Sequence, residues 1–370
     1  IEYFSQHKIN IGLITGSGAK KFPSKLKSEN YTKISKPQLQ KWVANGEIPV
    51  LIGTHALIQK NVNFKNLSLI IIDEQHRFGV KQRKELRKKS DIAPHLLSMT
   101  ATPIPRTLAL TIFGDLDLSV LDELPRGRQI PETRIVLDQE RDEIYERVRK
   151  EIQSGRQAYV ICPRIDDPDE AKESAMMAKS VKSEAERLQK KVFPEFKVGS
   201  ITGKMTPKEK QETMQNFKDN KFQILVATSV VEVGVNVPNA TVIIIENGER
   251  FGLSQLHQLR GRVLRSSHKP YCFVFAESKS QKTIERLTSF VKAKNGFELA
   301  EEDLKQRGTG DLLGAKQWGI SDLAMEALKN IKMVEAAREE ARELLEKDFE
   351  LREHPLLKNY LLSRTSAHME

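Results

Sequence analysis

Hydrophobic positions in this chain gather into short dense runs. Four runs recur in the first hundred residues: INIGLIT (9–15), PVLIGT (49–54), LSLIIIDE (67–74) and HLLSMTAT (95–102). A second series follows: RQAYVICP (156–163), FKVGSIT (196–202), QILVATS (223–229), TVIIIEN (241–247) and YCFVFA (271–276). Unbroken β-branched runs of this length read as strands buried on both faces. Their alternation with polar, helix-like stretches predicts parallel sheets with crossover helices, an α/β fold. The Pro- and Gly-containing segment ELPRGRQIPE (123–132) separates the two series and reads as a linker between two α/β domains. Residues 166–191 are charged and Ala-rich, which predicts a solvated helix with a turn at DDPDE. After Phe290 the pattern becomes helical, with apolar positions at Phe297, Leu299, Ala300 and Leu304, then four glycines, then a helical tail reaching Pro355. The expected domains are 1–128, 129–290 and 291–370.

A chain of 370 residues accommodates two or three domains. With 39% hydrophobic and 6% aromatic residues it reads as an ordinary globular protein. No apolar run approaches the roughly 18 residues a membrane span needs. There is no signal-peptide pattern, and the first residue is Ile1 rather than Met, so a fragment is expected. Two cysteines, Cys162 and Cys272, are too few for a disulfide framework or a zinc site and point to a reducing compartment. A net charge of +10 is compatible with nucleic-acid binding and does not establish it.

The run SLIIIDEQHRFGV (68–80) ends in Asp73 and Glu74. Open α/β sheets bind ligands outside the carboxyl ends of their strands. Paired carboxylates there suit a magnesium ion and an activated water, and hence a nucleotide. A nucleotide calls for a phosphate loop, G-x-x-x-x-G-K-[ST]. Neither TGSGAKK (15–21) nor GSITGKM (199–205) has that spacing, and the expectation is that the loop lies upstream of the given chain. Asp-Glu alone could equally cap a helix. Three further stretches weigh against that reading: SMTATPIPRTLAL (98–110) with Thr100 and Thr102, ILVATSVVEVGVNVPNATVIII (224–245) with Thr228, Gly234 and Asn236, and QLHQLRGRVLRS (255–266) with Gln258, Arg262 and Arg265.

On these motifs the chain resembles a superfamily 2 helicase, with Asp73-Glu74-Gln75-His76 as motif II and Thr100-Ala101-Thr102 as motif III. Residues 226–238 and 258–265 resemble motifs V and VI. DEQHRFGV, GTHALI (53–58) and MTATPIPRTLAL resemble the RecG family of bacterial branch-migrating DNA helicases, as does the tail ARELLEKDFELREHPLL. NGFELAEEDLKQRGTGDLLGAKQWG (295–319) resembles a translocation hairpin shared with the Mfd transcription-repair coupling factors; His76 favours RecG.

The resemblance implies two RecA-like domains with ATP and Mg2+ between them, followed by the helical hairpin and helices. It implies that Asp73 holds magnesium through water and Glu74 activates the attacking water, while Arg262 and Arg265 stabilise the γ-phosphate. His76, Gln258, Gly234, Asn236, Thr100 and Thr102 are implied in nucleotide sensing and coupling. Thr15, Gly16, Ser17, Thr54 and Thr228 are implied on the DNA track, and Arg307, Gly308, Gly310 and Gln317 in the hairpin. Branched or double-stranded DNA is the implied partner, with single-stranded DNA-binding protein as a second, in a monomeric enzyme of the bacterial cytoplasm and nucleoid. Asn236 replaces a common Asp, Leu264 a glycine, Thr202 a His and Thr309 a Pro. Without the phosphate loop the chain alone is expected to be a weak ATPase or none. Three other readings stay open: an Mfd-like translocase, a DNA- or protein-binding fragment without hydrolysis, and a truncated or degenerate product with no activity.

Overall fold

The computed structural model describes residues 7, 9–24, 30–59, 61–74, 89, 93–100, 119–121, 123, 125, 127–163, 180–228, 237–264, 266, 268–278, 280–300, 302 and 331–365. The chain forms two compact units, Ile1–Ala101 and Thr102–Glu370.

In the first unit, β1 (Ile11–Thr15), β2 (Gly18–Phe22), β3 (Thr32–Ile34) and β4 (Val50–Gly53) form a sheet in the order β3-β2-β1-β4. β5 (Leu69–Ile72) and β6 (His95–Ser98) form a separate parallel pair. All four expected strands are present. The expectation of a purely parallel sheet is corrected, because β1–β2 and β2–β3 are antiparallel and only β1–β4 is parallel. The cause is the turn Gly16-Ser17, which sends the chain straight back along β1. TGSGAKK is therefore a hairpin tip and its return strand, not a phosphate loop. Helix α1 (Lys36–Ala44) is capped by the Ser35 hydroxyl, which accepts from the Gln38 N–H, and has proline in its first turn. It buries Leu39 and Val43 against Ile14, Ala19 and Ile48.

The second unit holds a six-stranded, wholly parallel sheet ordered β7-β12-β11-β8-β10-β9. The strands are β7 (Glu132–Val136), β8 (Gln157–Cys162), β9 (Val198–Ile201), β10 (Ile224–Thr228), β11 (Ala240–Ile245) and β12 (Tyr271–Phe275). Five of the six match expected runs. β7 starts inside the segment read as linker, because ETRIV is too short and polar to stand out.

Strands β8, β10, β11 and β12 are buried along their whole length. One face carries Leu225, Ile243, Ile245 and Val274 against α3 (Pro207–Lys218), α4 (Leu253–Arg260) and α5 (Gln281–Lys292). The other carries Val160, Val226, Ile244 and Phe273 against α2 (Arg141–Gln153). Residues 180–187 are helical, as expected of that segment, and widen into a π-turn over Leu188–Val192. Leu299 and Ala300 are buried, in keeping with the helical spacing. The tail departs from expectation: α6 (Ile331–Lys347) ends early, and Pro355 opens α7 (Pro355–Thr365) instead of ending a helix. Proline is well suited to a first helical position, where its missing N–H has no intrahelical partner to lose. Among the described residues no helix is long and apolar enough to cross a membrane.

Strand β11 leaves the sheet through Glu246, Asn247 and Gly248. Asn247 is left-handed at φ 49°. Gly248 approaches β12 so closely that a Cβ there would lie 2.1 Å from Val274 Cγ1. Glu246 is buried and accepts from Arg141 Nη1 at 3.0 and 3.3 Å. The Arg141 guanidinium also lies over the Phe275 ring at 4.5 Å. Burial pushes the Glu246 carboxyl up to about 7, although Arg141 pulls it down. Its folded-state pKa thus stands above its unfolded value, so its contribution to stability is greatest at low pH and is lost as pH rises through 7.

Two outcomes are expected. Gly248→Ala lowers stability by about 1–3 kcal/mol through overpacking, read from the urea midpoint; an unchanged midpoint contradicts the close approach. Relative to Glu246→Gln, the parent protein gains stability as pH falls from 8 to 5, by on the order of 1–3 kcal/mol. Thermal melts across that range check it, and a pH-independent difference contradicts it.

Candidate nucleotide and nucleic-acid site

Asp73 and Glu74 leave the carboxyl end of β5. In the parallel register Ile72 lies opposite Ser98, and the Met99 N–H donates to the Ile72 carbonyl at 2.8 Å. This brings motifs II and III side by side, and the Thr100 hydroxyl makes a long hydrogen bond of 3.5 Å to Glu74 Oε2. Asp73 is exposed and Glu74 half-buried. Glu74 adopts φ 52°. The left-handed region costs a non-glycine residue roughly 1–3 kcal/mol, and such strain gathers where the chain serves chemistry.

Thr15 ends β1, and Thr54 follows the carboxyl end of its parallel neighbour β4. The strands approach closely there: a Cβ on Gly53 would lie 2.5 Å from the Ile14 carbonyl oxygen. The Thr15 and Ser17 hydroxyls are 3.1 Å apart, and Lys36 Nζ donates to the Gly16 carbonyl at 2.7 Å. Gly16, Ser17 and Thr54 are exposed. Four of the expected DNA-track residues therefore cluster in the first unit.

In the second unit Thr228 ends β10 and is buried, unlike the track residues of the first unit. Gln258 lies on α4 and Arg262 on the single 3-10 turn Gly261–Val263 that follows; both are half-buried. Leu264, where a glycine is common, sits at φ −73°, so no left-handed conformation is demanded of it. His76, Thr102, Gly234, Asn236, Arg265, Arg307, Gly308, Gly310 and Gln317 lie outside the described residues.

Three arginines not singled out from the motifs hold this segment in place. Arg260 is buried, donates to the Phe290 carbonyl at 3.1 Å and lies over that ring at 4.6 Å. Its Nη2 lies 3.3 Å from His257 Nδ1. Burial, with Arg260 adding to it, pushes His257 down to about 4, so the imidazole is neutral near pH 7 and can accept that bond. Arg286 donates to the Phe251 and Glu249 carbonyls at 2.7 and 2.6 Å. Arg141, through Glu246, fixes the start of the same connection. A legible signal existed for Arg260, which lies on the apolar face of α4 beside Leu256, Leu259 and Val263.

Comparison with known proteins agrees along the chain. Residues 15–111 match the DEAD/DEAH box helicase family, 140–267 the helicase conserved C-terminal domain, and 293–364 the ATP-dependent DNA helicase RecG, domain 3, C-terminal family. The ATP-dependent DNA helicase RecG of Synechocystis is 44% identical over 98% of this chain and 42% of its own length. That of Thermotoga maritima is 44% identical over 95% and 43%, and that of Bacillus subtilis 48% identical over 84% and 45%. A solved RecG bound to a three-way DNA junction aligns with a TM-score of 0.63 at 40% identity, covering 90% of this chain and 41% of that one. The helicase MrfA, at 15% identity and a TM-score of 0.53, shares the fold. The chain spans less than half the length of these curated relatives, and the match over 293–364 favours RecG over Mfd. The two units are RecA-like α/β folds, and nearly the whole chain is similar to the RecG family of ATP-dependent DNA helicases.

Proposed function

We propose that the chain is the motor portion of an ATP-dependent translocase that remodels branched DNA. The observation that carries this is the strained Glu74 beside Thr100, at the carboxyl ends of two parallel strands, in a chain similar to this family. Glu74 is the general base: a water hydrogen-bonded to its carboxylate gives up a proton as its oxygen attacks the γ-phosphorus, and ADP leaves with the bridging oxygen. The left-handed backbone sets where that carboxylate sits, and Thr100 steadies one of its oxygens. Asp73, an exposed carboxylate, suits a magnesium ion that keeps several of its waters. That ion, carried with ATP, would neutralise phosphate charge. Arg262, with Arg265, supplies positive charge to the phosphoryl group in flight.

Thr15, Gly16, Ser17 and Thr54 present hydroxyls and backbone amides suited to phosphate oxygens. Contacts of that kind position DNA without reading its sequence. A relative seen on a three-way junction supports branched DNA as the substrate. The domain assignment follows: 1–128 and 129–290 as the two motor domains, and 291–370 as the translocation hairpin and helices.

The test is fork-stimulated ATP hydrolysis by this chain joined to the N-terminal half of the Thermotoga maritima relative. Glu74→Gln lowers kcat by about 10²–10⁴-fold, and Arg262→Ala lowers it by about 10³–10⁵-fold. DNA affinity changes less than about twofold in either. Turnover that survives Glu74→Gln contradicts the assignment of the base.

A further inference from the structure

The β2–β3 ribbon carries a feature that the motor motifs do not use. In its antiparallel register Lys20 lies directly opposite Lys33. Directly opposed residues project from the same face, and like charges so placed destabilise a sheet. The described residues 11–24 and 30–36 carry four lysines and no carboxylate. No described acidic side chain pairs with Lys20 or Lys33. Instead the Lys20 ammonium lies 4.0 Å from the centroid of the Tyr31 ring. Tyr31 stands two residues from Lys33, on the same face, and is 44% exposed. The opposite face, with Ala19 and Ile34, packs toward α1. The lysine face is therefore not the one the core requires.

The same ribbon begins at the Thr15–Gly18 turn, whose exposed residues are already assigned to the DNA track. Two cations that no described carboxylate pairs, and an exposed aromatic ring, continue that track along β2 and β3. We propose that this ribbon is a second DNA contact, in which Lys20 and Lys33 bind adjacent phosphates of one sugar–phosphate backbone and Tyr31 packs on the sugar between them. The proposal rests on the reading of the chain as a DNA translocase. It explains why a self-repelling pair is kept: a phosphate supplies a counter-charge that no described residue of the ribbon does.

The test is the salt dependence of DNA binding by the chain as given, measured by fluorescence anisotropy on a labelled duplex and a labelled single strand. For Lys20→Gln/Lys33→Gln, the slope of log Kobs against log[salt] becomes shallower by about 1.8 on duplex, or about 1.4 on single strands, as expected for two phosphate contacts. Whichever DNA gives that change is the form the ribbon holds. Lys20→Arg/Lys33→Arg keeps the parent slope. Removing a like-charge pair should leave the melting temperature equal or higher, so a shallower slope with an undiminished melting temperature excludes unfolding. If the parent chain binds DNA and the double Gln variant keeps its slope, the ribbon contact is overturned while the translocase reading stands. A slope lost in the Arg variant also overturns it, since charge is retained. If the parent chain binds no DNA at all, both readings fall.

Discussion

Parallel pairing of neighbouring strands is the constraint on which the candidate chemistry depends. In a parallel pair both chains leave the sheet at the same edge, so residues distant in sequence emerge side by side. The β5–β6 pair does this for Glu74 and Thr100, 26 residues apart. The β1–β4 pair does it for Thr15 and Thr54. In the larger sheet Thr228 lies opposite Cys162, and the Glu246 N–H donates to the Ile161 carbonyl at 2.9 Å. Thr228 and Glu246 thus flank the end of β8 from its two sides. Chain connections also reverse direction between β8 and β11, the kind of switch point at which open α/β sheets hold ligands.

Around that edge, guanidinium groups do much of the holding. The connection from β11 to α4 buries polar backbone that no strand or helix pairs. Arg286 satisfies two of its carbonyls, Arg141 balances Glu246 at its start, and Arg260 ties α4 to the Phe290 carbonyl on α5. An arginine fork suits this task because its donors are fixed in one plane. Arg262 belongs to the same segment but is half-buried and lies on the short turn beyond α4. Of the three structural arginines Arg260 is buried, while Arg141 and Arg286 are half-buried like Arg262. A rigid connection places Arg262 reproducibly, which is what transition-state charge stabilisation requires.

Much of this was legible in the sequence. The buried parallel strands announced themselves as unbroken apolar runs, and Asp73-Glu74 stood out because charge ends such a run abruptly. Strands β2 and β3 did not, since GAKKF and TKI have little apolar character and owe their pairing to the turn that precedes them. Pro355 suggests a helix stop in the sequence, whereas its position in the fold is a helix start. Glu246 ends TVIII much as Asp73 ends SLIII, so the same rule flags it, but only the fold reveals Arg141, 105 residues away, as its partner. The left-handed backbone of Glu74 had no sequence signal, because glutamate is not a residue that this conformation favours.

That backbone is where the account is most exposed to test. The measurement is the stability of Glu74→Gly against Glu74→Ala, with ATP hydrolysis followed for both in the chain joined to its relative's N-terminal half. Both remove the carboxylate, and only alanine keeps a Cβ in the left-handed region. The account predicts that the Gly variant is more stable than the Ala variant by on the order of 1 kcal/mol, and that neither hydrolyses ATP appreciably. An Ala variant at least as stable as the Gly variant, or hydrolysis surviving in either, would contradict the claim that strain at Glu74 is kept for catalysis.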